Sequence, residues 1–230
     1  MIYGIAWDTS STLAFAISIL PILGIGLIVT LEAAAAGFAI ALVLGLLLAL
    51  LRRSRFKAVA WPTAFVIEFI RDTPLLVQLF FLYYGLPIFG IVLPAFLTGA
   101  LALGLQYSAY TSEVYRGGIE AIPRGQWEAA IALNLGRARL YRDVIVPQAI
   151  PRIVPAMGNY LVSMLKETPV LSVVTVVDML NLANLIGDRT FEYLVPLSLV
   201  GLIFLILTIV CSAGIHWLER ALPKHGIALR

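Results

Sequence analysis

Charge is what this sequence has least of. Only 13% of its 230 residues are Asp, Glu, Lys or Arg, while 61% are hydrophobic. Soluble domains run near a quarter charged, so a water-soluble globule is excluded and an integral membrane protein is indicated. Cysteine is almost absent too. Cys211 stands alone in an apolar run, which excludes an intrachain disulfide and a thiolate metal cluster and reads as packing. The two histidines, His216 and His225, are too isolated for a metal site. No Lys or Arg precedes Arg52, so no signal-peptide n-region is expected at the N-terminus. No G-x-x-x-x-G-K-S/T run occurs, so no phosphate-cradling loop and no bound cofactor are expected in this chain. Basic and aromatic residues do not interleave, which argues against a nucleic-acid partner.

What is present is a series of long apolar runs. Between Ser10 and Leu51 the only charge is Glu32, and Pro21, Gly24 and Gly26 divide the run. The expected arrangement is an interfacial N-terminal segment over 1–24 followed by a first span over about 25–51. A hairpin of two spans over the same run is the alternative. Residues 73–112 contain no charge, and 40 residues of helix reach about 60 Å, enough for two crossings. Gly85, Pro87, Gly90 and Pro94 place the turn between spans at about 73–89 and 95–114. A fourth span begins near Ile153 and runs to about Leu165, and a fifth covers Val195 to Ile215.

The placement of basic residues tests this reading. RRSRFK at 52–57 and the loop from Arg116 to Arg152 concentrate positive charge, which marks the cytoplasmic side. With five spans, an outer N-terminus and an inner C-terminus, 14 of the 16 Lys and Arg fall inside. The expected fold is therefore all-α: a polytopic membrane bundle in a single domain over 1–230, its core at 25–218 and its tail at 219–230. Residues 58–72 read as an elbow along the inner face.

The most informative stretch is WEAAIALNLGRARLYRDVIVP, residues 127–147. It is an amphipathic segment of about six helical turns ending at Pro147, far more than a link between spans requires. Glu128, Ala129 and Ala130 occupy its opening turns, where a carboxylate suits the helix dipole. Asn134 and Gly136 can turn left-handed. Two readings are open on the residues alone: docking onto a partner in the aqueous phase, or lying on anionic lipid.

Other polar groups sit inside apolar runs. A Lys centred in a bilayer costs roughly 2.5–3.5 kcal/mol, so Lys166 and Glu167 should line water or find partners. The following Thr168-Pro169 is expected to interrupt the helix. The pair reads as part of a polar path for a zwitterion, or as the outer end of span four with Lys166 snorkelling. Gln78, Gln106, Tyr107 and Tyr110 lie within spans two and three and are candidates for the same path, with interface anchoring as the other reading of the tyrosines. Glu113 and Arg116 should pair on one helix face. Glu32 should face the bundle interior or a polar neighbour.

The loop resembles the Glu-Ala-Ala loop of bacterial ABC importer permeases, matching at Glu128-Ala129-Ala130, with Val144, Val146 and Pro147 completing the pattern and Asn134 in place of its glycine. FIRDTPLLVQLFFLYYGLP at 69–87, SAYTSEVYRGGI at 108–119 and LKETPVLSVV at 165–174 are similar to segments of the polar amino acid subfamily. Asp72, Glu167 and Pro169 are departures from its pattern. The resemblance implies the type I importer fold and a permease that moves a polar amino acid or similar zwitterion by alternating access. It implies a coupling loop built on Glu128, Ala129, Ala130, Leu133, Asn134 and Gly136, and Lys166, Glu167, Thr168, Gln106, Tyr110 and Gln78 along the path. The implied partners are an ABC ATPase dimer that carries ATP and Mg, a second permease chain, a periplasmic or lipid-anchored solute-binding protein docking partly on 173–193, and the bilayer of the inner membrane. An ion-coupled secondary carrier and a membrane scaffold are the rival readings.

Overall fold

The computed structural model describes residues 7–222, and among them every regular element is helical. The first is a single helix, α1, over Thr12–Arg52. This corrects the expected division into an interfacial segment and a span. Pro21 lies inside the helix, where its missing N–H removes one ladder bond without ending the run. Packing explains the tolerance: Phe15, Ile19, Ile22 and Leu23 on either side of the proline are buried in one cluster with a later helix. Gly26 is not a breaker but a contact. A Cβ there would fall 2.5 Å from Met179 Cα, so only glycine admits the neighbouring backbone.

α2 spans Lys57–Asp72 and α3 spans Leu75–Phe80. α2 is a separate helix over the residues read as an elbow, burying Thr63, Ile67 and Ile70 and exposing Trp61, Phe65 and Phe69. α3 continues without a break as a π-helical turn, Phe81–Gly85, and a 3-10 turn, Leu86–Phe89. Gly90, left-handed at φ 80°, closes it. α4 runs over Ala95–Glu120.

The loop then departs from its expected form. α5 (Arg124–Ala132) ends where Asn134 turns left-handed at φ 53°. A short α6 (Arg137–Arg139) and a π-helical stretch (Leu140–Ile145) lead straight into α7, Val146–Glu167. The six-turn helix is thus broken in its middle and does not stop at Pro147. That proline sits in the first turn of α7, directly after the π-helical stretch, and does not end the helical run. α7 tightens into a 3-10 helix over Thr168–Val174 instead of being interrupted at Thr168-Pro169, and Thr175 ends it at φ 63°. α8 (Met179–Thr190) folds back along the N-terminal half of α1, and α9 (Leu194–Ala221) is the last helix among the described residues.

Two of these helices, Thr12–Arg52 and Leu194–Ala221, are long and apolar enough to cross a membrane by themselves. A third qualifies if Arg137–Val174 and Met179–Thr190, bent by 48°, are counted as one. Between apolar helices in lipid, close approach of small residues does what the hydrophobic effect does in water. α1 accordingly buries Ala33, Ala34, Gly37, Ala41, Gly45 and Ala49. Thr111 Oγ1 of α4 donates to the Ala41 carbonyl at 2.8 Å. Gly37 marks a common level: a Cβ there would meet Leu103 Cβ at 2.9 Å and Met164 Sδ at 3.3 Å. Gly99 lies against Leu171 and Gly118 against Ile153, so α4 and α7 run antiparallel side by side. The reserved tail from residue 223 and His225 lie outside the described residues.

Candidate functional site: a coupling loop and a polar path

The loop builds a small core of its own. Ala130, Leu140, Ile145 and Ala149 are buried with Ile119 and Ile122 from the end of α4, and Trp127 packs edge-on to Tyr141 at 5.7 Å. Gln148 Nε2 donates to Gln126 Oε1 at 3.1 Å, and Arg152 donates to the Ala121 carbonyl. α5 is thereby fixed to α7 with one face inward. Ala130 belongs to that inward face at 3% exposure, so it is not a surface residue of the loop. Glu128, Ala129, Leu133, Asn134 and Gly136 are exposed. Ile131 and Leu133 are 67% and 74% exposed, an apolar outer face on a helix flanked by arginines.

The polar residues of the spans are joined. Gln78 Nε2 donates to Gln106 Oε1, to the Ile70 carbonyl at 2.9 Å and to the Thr73 carbonyl at 3.1 Å. Gln106 Nε2 donates to Tyr110 Oη at 3.4 Å. Tyr110 stacks on Tyr160 of α7 at 5.5 Å, and Tyr107 meets both rings at 5.9 and 6.2 Å. Gln78, Gln106 and Tyr110 therefore form one ladder, which the rings of Tyr107 and Tyr160 extend to α7.

Glu167 lies between the levels of Met164 and Leu171, hence alongside α4 between Leu103 and Gly99 and not beyond its N-terminal end at Ala95. Lys166 is exposed beside it and holds no ion pair among the described residues, and Thr168 is buried with its hydroxyl donating to the Leu165 carbonyl at 2.8 Å. Two residues that sequence reasoning passed over extend this face: Asn159 is exposed and Ser163 half-buried on α7. Their signal was available, since 159, 163 and 167 are four apart and share a helix face. Tyr160 gave none, because its role depends on which ring of α4 it meets.

Near the C-terminal end of α4, Glu113 and Arg116 pair at 2.5 Å, as their spacing implies. The pair belongs to a larger cluster. Arg52 of α1 reaches Glu113 at 3.6 Å, Arg53 reaches Glu120 at 3.8 Å, Arg116 reaches Glu120 at 2.6 Å, and Arg71 of α2 reaches Glu68 at 3.2 Å. The Arg71 guanidinium also lies 5.6 Å from the centre of the Tyr110 ring, which links the cluster to the ladder. Glu32 does not face the bundle. It is exposed on the side of α1 that carries Ile25, Ile28 and Val43, opposite the buried face packed on α4. A helix has two faces and the small-residue face took the packing, leaving Glu32 outward. His216 Nδ1 contacts the Ser212 carbonyl at 2.8 Å, and no cluster of metal-ligating residues occurs among the described residues.

Known proteins share this arrangement. Residues 41–224 match the family model described as binding-protein-dependent transport system inner membrane component. A probable amino-acid ABC transporter permease protein, y4tG of Sinorhizobium fredii (strain NBRC 101917 / NGR234), is 64% identical over the full length of both chains. The arginine transport system permease protein ArtQ of Bacillus subtilis (strain 168) is 36% identical over 87% of this chain and 92% of its own. Among solved structures, a chain of an amino acid ABC transporter crystallised with histidines superposes with a TM-score of 0.87 at 38% identity, covering 94% of this chain and all of that one. The fold is that of the type I importer permeases, and the chain belongs to the family of binding-protein-dependent transport system inner membrane components, as a membrane-embedded permease subunit of an ABC importer.

Proposed function

We propose that this permease passes a polar amino acid, or an amino-acid-like zwitterion, between two copies of itself or between itself and a homologous chain. The observation that carries the reading is the face of α7 bearing Asn159, Ser163, Lys166 and Glu167. It is polar, it is open on the surface of the single chain, and it is backed by the tyrosine and glutamine ladder. Such a face is costly against lipid and must border water or another chain. A second permease placed against it closes a path in which Lys166 and Glu167 offer opposite charges to the two ends of a zwitterion. The substrate class is supported by the relatives' names and by this pairing of charges.

ATP and Mg are bound and ATP is hydrolysed by a separate ATPase dimer, which grips α5 through Leu133, Ile131, Ala129 and Glu128, with Asn134 and Gly136 setting the bend. Ala130 supports that surface from beneath. A periplasmic or lipid-anchored binding protein delivers solute to the outer surface contributed by residues 173–193. The membrane is the bacterial inner membrane, crossed five times, with α3 and its 3-10 extension, α4 and α7 as the spans between α1 and α9, the N-terminus outside and the end of α9 inside. Alternating access follows if nucleotide-driven closure of the ATPase moves α5 and, through its core with α4 and α7, the walls of the path.

The test is uptake by proteoliposomes. Permease, ATPase and binding protein encoded beside each other should together accumulate a labelled polar amino acid only when ATP is present on the ATPase side. Accumulation driven by an ion gradient without ATPase would instead establish a secondary carrier.

A further inference from the structure

Asp178 serves neither the path nor the coupling loop. It is fully buried at the N-cap of α8, where its Oδ1 accepts the Asn181 N–H at 2.8 Å. Its Oδ2 is buried too and has no hydrogen-bond partner among the described residues. The surrounding joint is tight. Thr175, three residues earlier, is left-handed at φ 63°, a conformation that β-branched residues rarely adopt, and its hydroxyl lies 3.3 Å from Tyr83 Oη. On the other side the Met179 backbone lies against Gly26 of α1, and the Met179 N–H donates to Thr30 Oγ1 at 3.3 Å. The chain bends by 48° at this joint.

No counter-charge faces this carboxyl group among the described residues. α1 offers Gly26 and Thr30, and its nearest acidic residue, Glu32, is exposed. Val176 of the joint packs in one cluster with Tyr107, and Tyr83 meets Thr175; both are phenols and not cations. α9 packs Leu199, Val200 and Ile203 onto the cluster that holds Met179, and it carries no Asp, Glu, Lys or Arg before Glu219. The charged residues of α8, Asp188 and Arg189, follow Asp178 by about 15 Å along the helix. Lys166 and Glu167 precede it on the far side of the 3-10 helix. Burial penalises the ionised form and pushes the Asp178 carboxyl up to about 6. The group lies between the 3-10 helix and α8, outside the segments read above as spans. Its orphan oxygen selects the ligand. A metal ion needs several free oxygens, but Thr30 Oγ1 already donates to the Gly26 carbonyl at 2.9 Å and accepts from Met179, and Oδ1 is taken by Asn181. A proton needs Oδ2 alone.

We propose that Asp178 is a proton-binding site that fastens α8 to α1. Protonated on Oδ2, the side chain keeps its cap on Asn181 through Oδ1 and carries no charge into the joint. Ionised, it buries an uncompensated charge there and weakens the joint. The folded carboxyl holds its proton to a higher pH than the unfolded one, whose ordinary value is 3.8. The stabilisation is therefore complete below about pH 4 and is lost as pH rises through about 6. Val173 and Val177 are exposed beside the joint, so the proton has a short way to water. The consequence for transport rests on the outer placement of residues 173–193 proposed above, whereas the proton site does not. On that placement, acid outside firms the surface that receives the binding protein.

Melting of the assembled transporter in detergent at about pH 5 and about pH 7.5, wild type beside Asp178→Asn, tests the proposal. Asn caps a helix as well as Asp does and cannot ionise. The quantity read is the change with pH in the gap between the two proteins, so a constant offset from repacking drops out. Between the two pH values the wild type should lose roughly 3 °C more than the variant. A second measurement probes the joint itself: alkylation at Ala183→Cys, a buried position of α8 in the cluster shared with α1, in a Cys211→Ala background. The rate with Asp178 divided by the rate with Asp178→Asn at the same pH cancels the thiol's own titration. That ratio should rise about ten-fold from the lower pH to the higher. A melting gap or a labelling ratio that stays constant with pH would overturn the assignment. So would sodium, replacing choline, that raises wild-type melting at the higher pH and not the variant's, since the occupant would then be a metal ion. Neither measurement involves uptake, so failure of the transport reading would leave both outcomes standing.

Discussion

Gln78 and Gln106 are bonded side chain to side chain, the Nε2 of the first donating to the Oε1 of the second. Through this contact α3 is tied to α4, and because Gln78 also donates to the Ile70 and Thr73 carbonyls, α2 is tied to both. Gln106 passes the connection to Tyr110, whose ring lies between the Arg71 guanidinium and Tyr160. The ion cluster around Arg71 and the Tyr160 ring of α7 are thereby joined through one network. A permease that must switch between two closed gates needs such a mechanical link, because a packed network has few discrete arrangements rather than a continuum.

Gln106→Leu removes the middle of that network. Gln78 keeps its two carbonyl acceptors, so the α2–α3 joint should survive and the protein should still insert. The loss of a buried partner costs about 1–3 kcal/mol. Uptake should fall while co-purification of the ATPase is unchanged. Wild-type uptake kinetics in this variant would show that the ladder is packing alone.

Glu167 can be separated from its neighbour by charge. Glu167→Gln keeps the shape and removes the charge that the solute's ammonium group is proposed to meet, whereas Lys166→Gln removes the partner of the carboxylate. Both should raise the solute concentration needed for half-maximal uptake by roughly ten-fold, equivalent to about 1.4 kcal/mol. Tyr107→Phe, which loses only a hydroxyl, should do less. Unchanged half-saturation in both charge variants would move the solute site elsewhere.

The close approach of α1 and α8 gives a stability prediction independent of transport. Gly26→Leu would drive a side chain into the Met179 backbone, which cannot rotate away. Overpacking of this kind costs about 1–3 kcal/mol or more. The melting temperature in detergent should drop, and Gly24→Leu, with open space around it, is the matched control. Equal melting for the two would contradict the packing described here.

Much of this was legible in the sequence because membrane insertion imposes long apolar runs and sorts charge by side. The separate α2, the turn at Gly90, the break at Asn134 and the Glu113–Arg116 pair follow from local rules acting on local residues. What was not legible depended on partners distant in sequence. Pro21 looked like a boundary because nothing near it reveals the α8 cluster that holds the helix through it. Ala130 looked like a surface residue because the core that buries it comes from α4 and α7. Glu32 carried no mark of which face of α1 would be packed. Asn159 and Ser163 were readable by periodicity, whereas Tyr160 became meaningful only against Tyr107 and Tyr110.

Topology can be checked by labelling single cysteines in a Cys211→Ala background. Positions 55 and 139 should react with a membrane-impermeant maleimide only from the cytoplasmic side, and position 91, beside the Gly90 turn, only from outside. Outer labelling of position 139 would invert the loop and remove it from any cytoplasmic ATPase.

The coupling loop gives the sharpest test, and the geometry decides which residue to change. Ala130 is buried in the loop's own core, so an arginine there would disrupt α5 and could not distinguish lost docking from lost folding. Leu133 is 74% exposed and lies outside the loop's buried core. Leu133→Arg should therefore leave expression, melting temperature and membrane insertion as they are. Against an ATPase groove it places a charge where an apolar side chain was accommodated, and such central changes weaken protein interfaces by about 2–4 kcal/mol. The ATPase should be lost on purification and uptake abolished. Arg142→Ala, on the polar side of the following turn, is the control and should have little effect. If the helix only lay on anionic lipid, an added arginine would strengthen that contact and uptake would persist. Retained ATPase and full uptake in Leu133→Arg would thus remove α5 from the coupling interface.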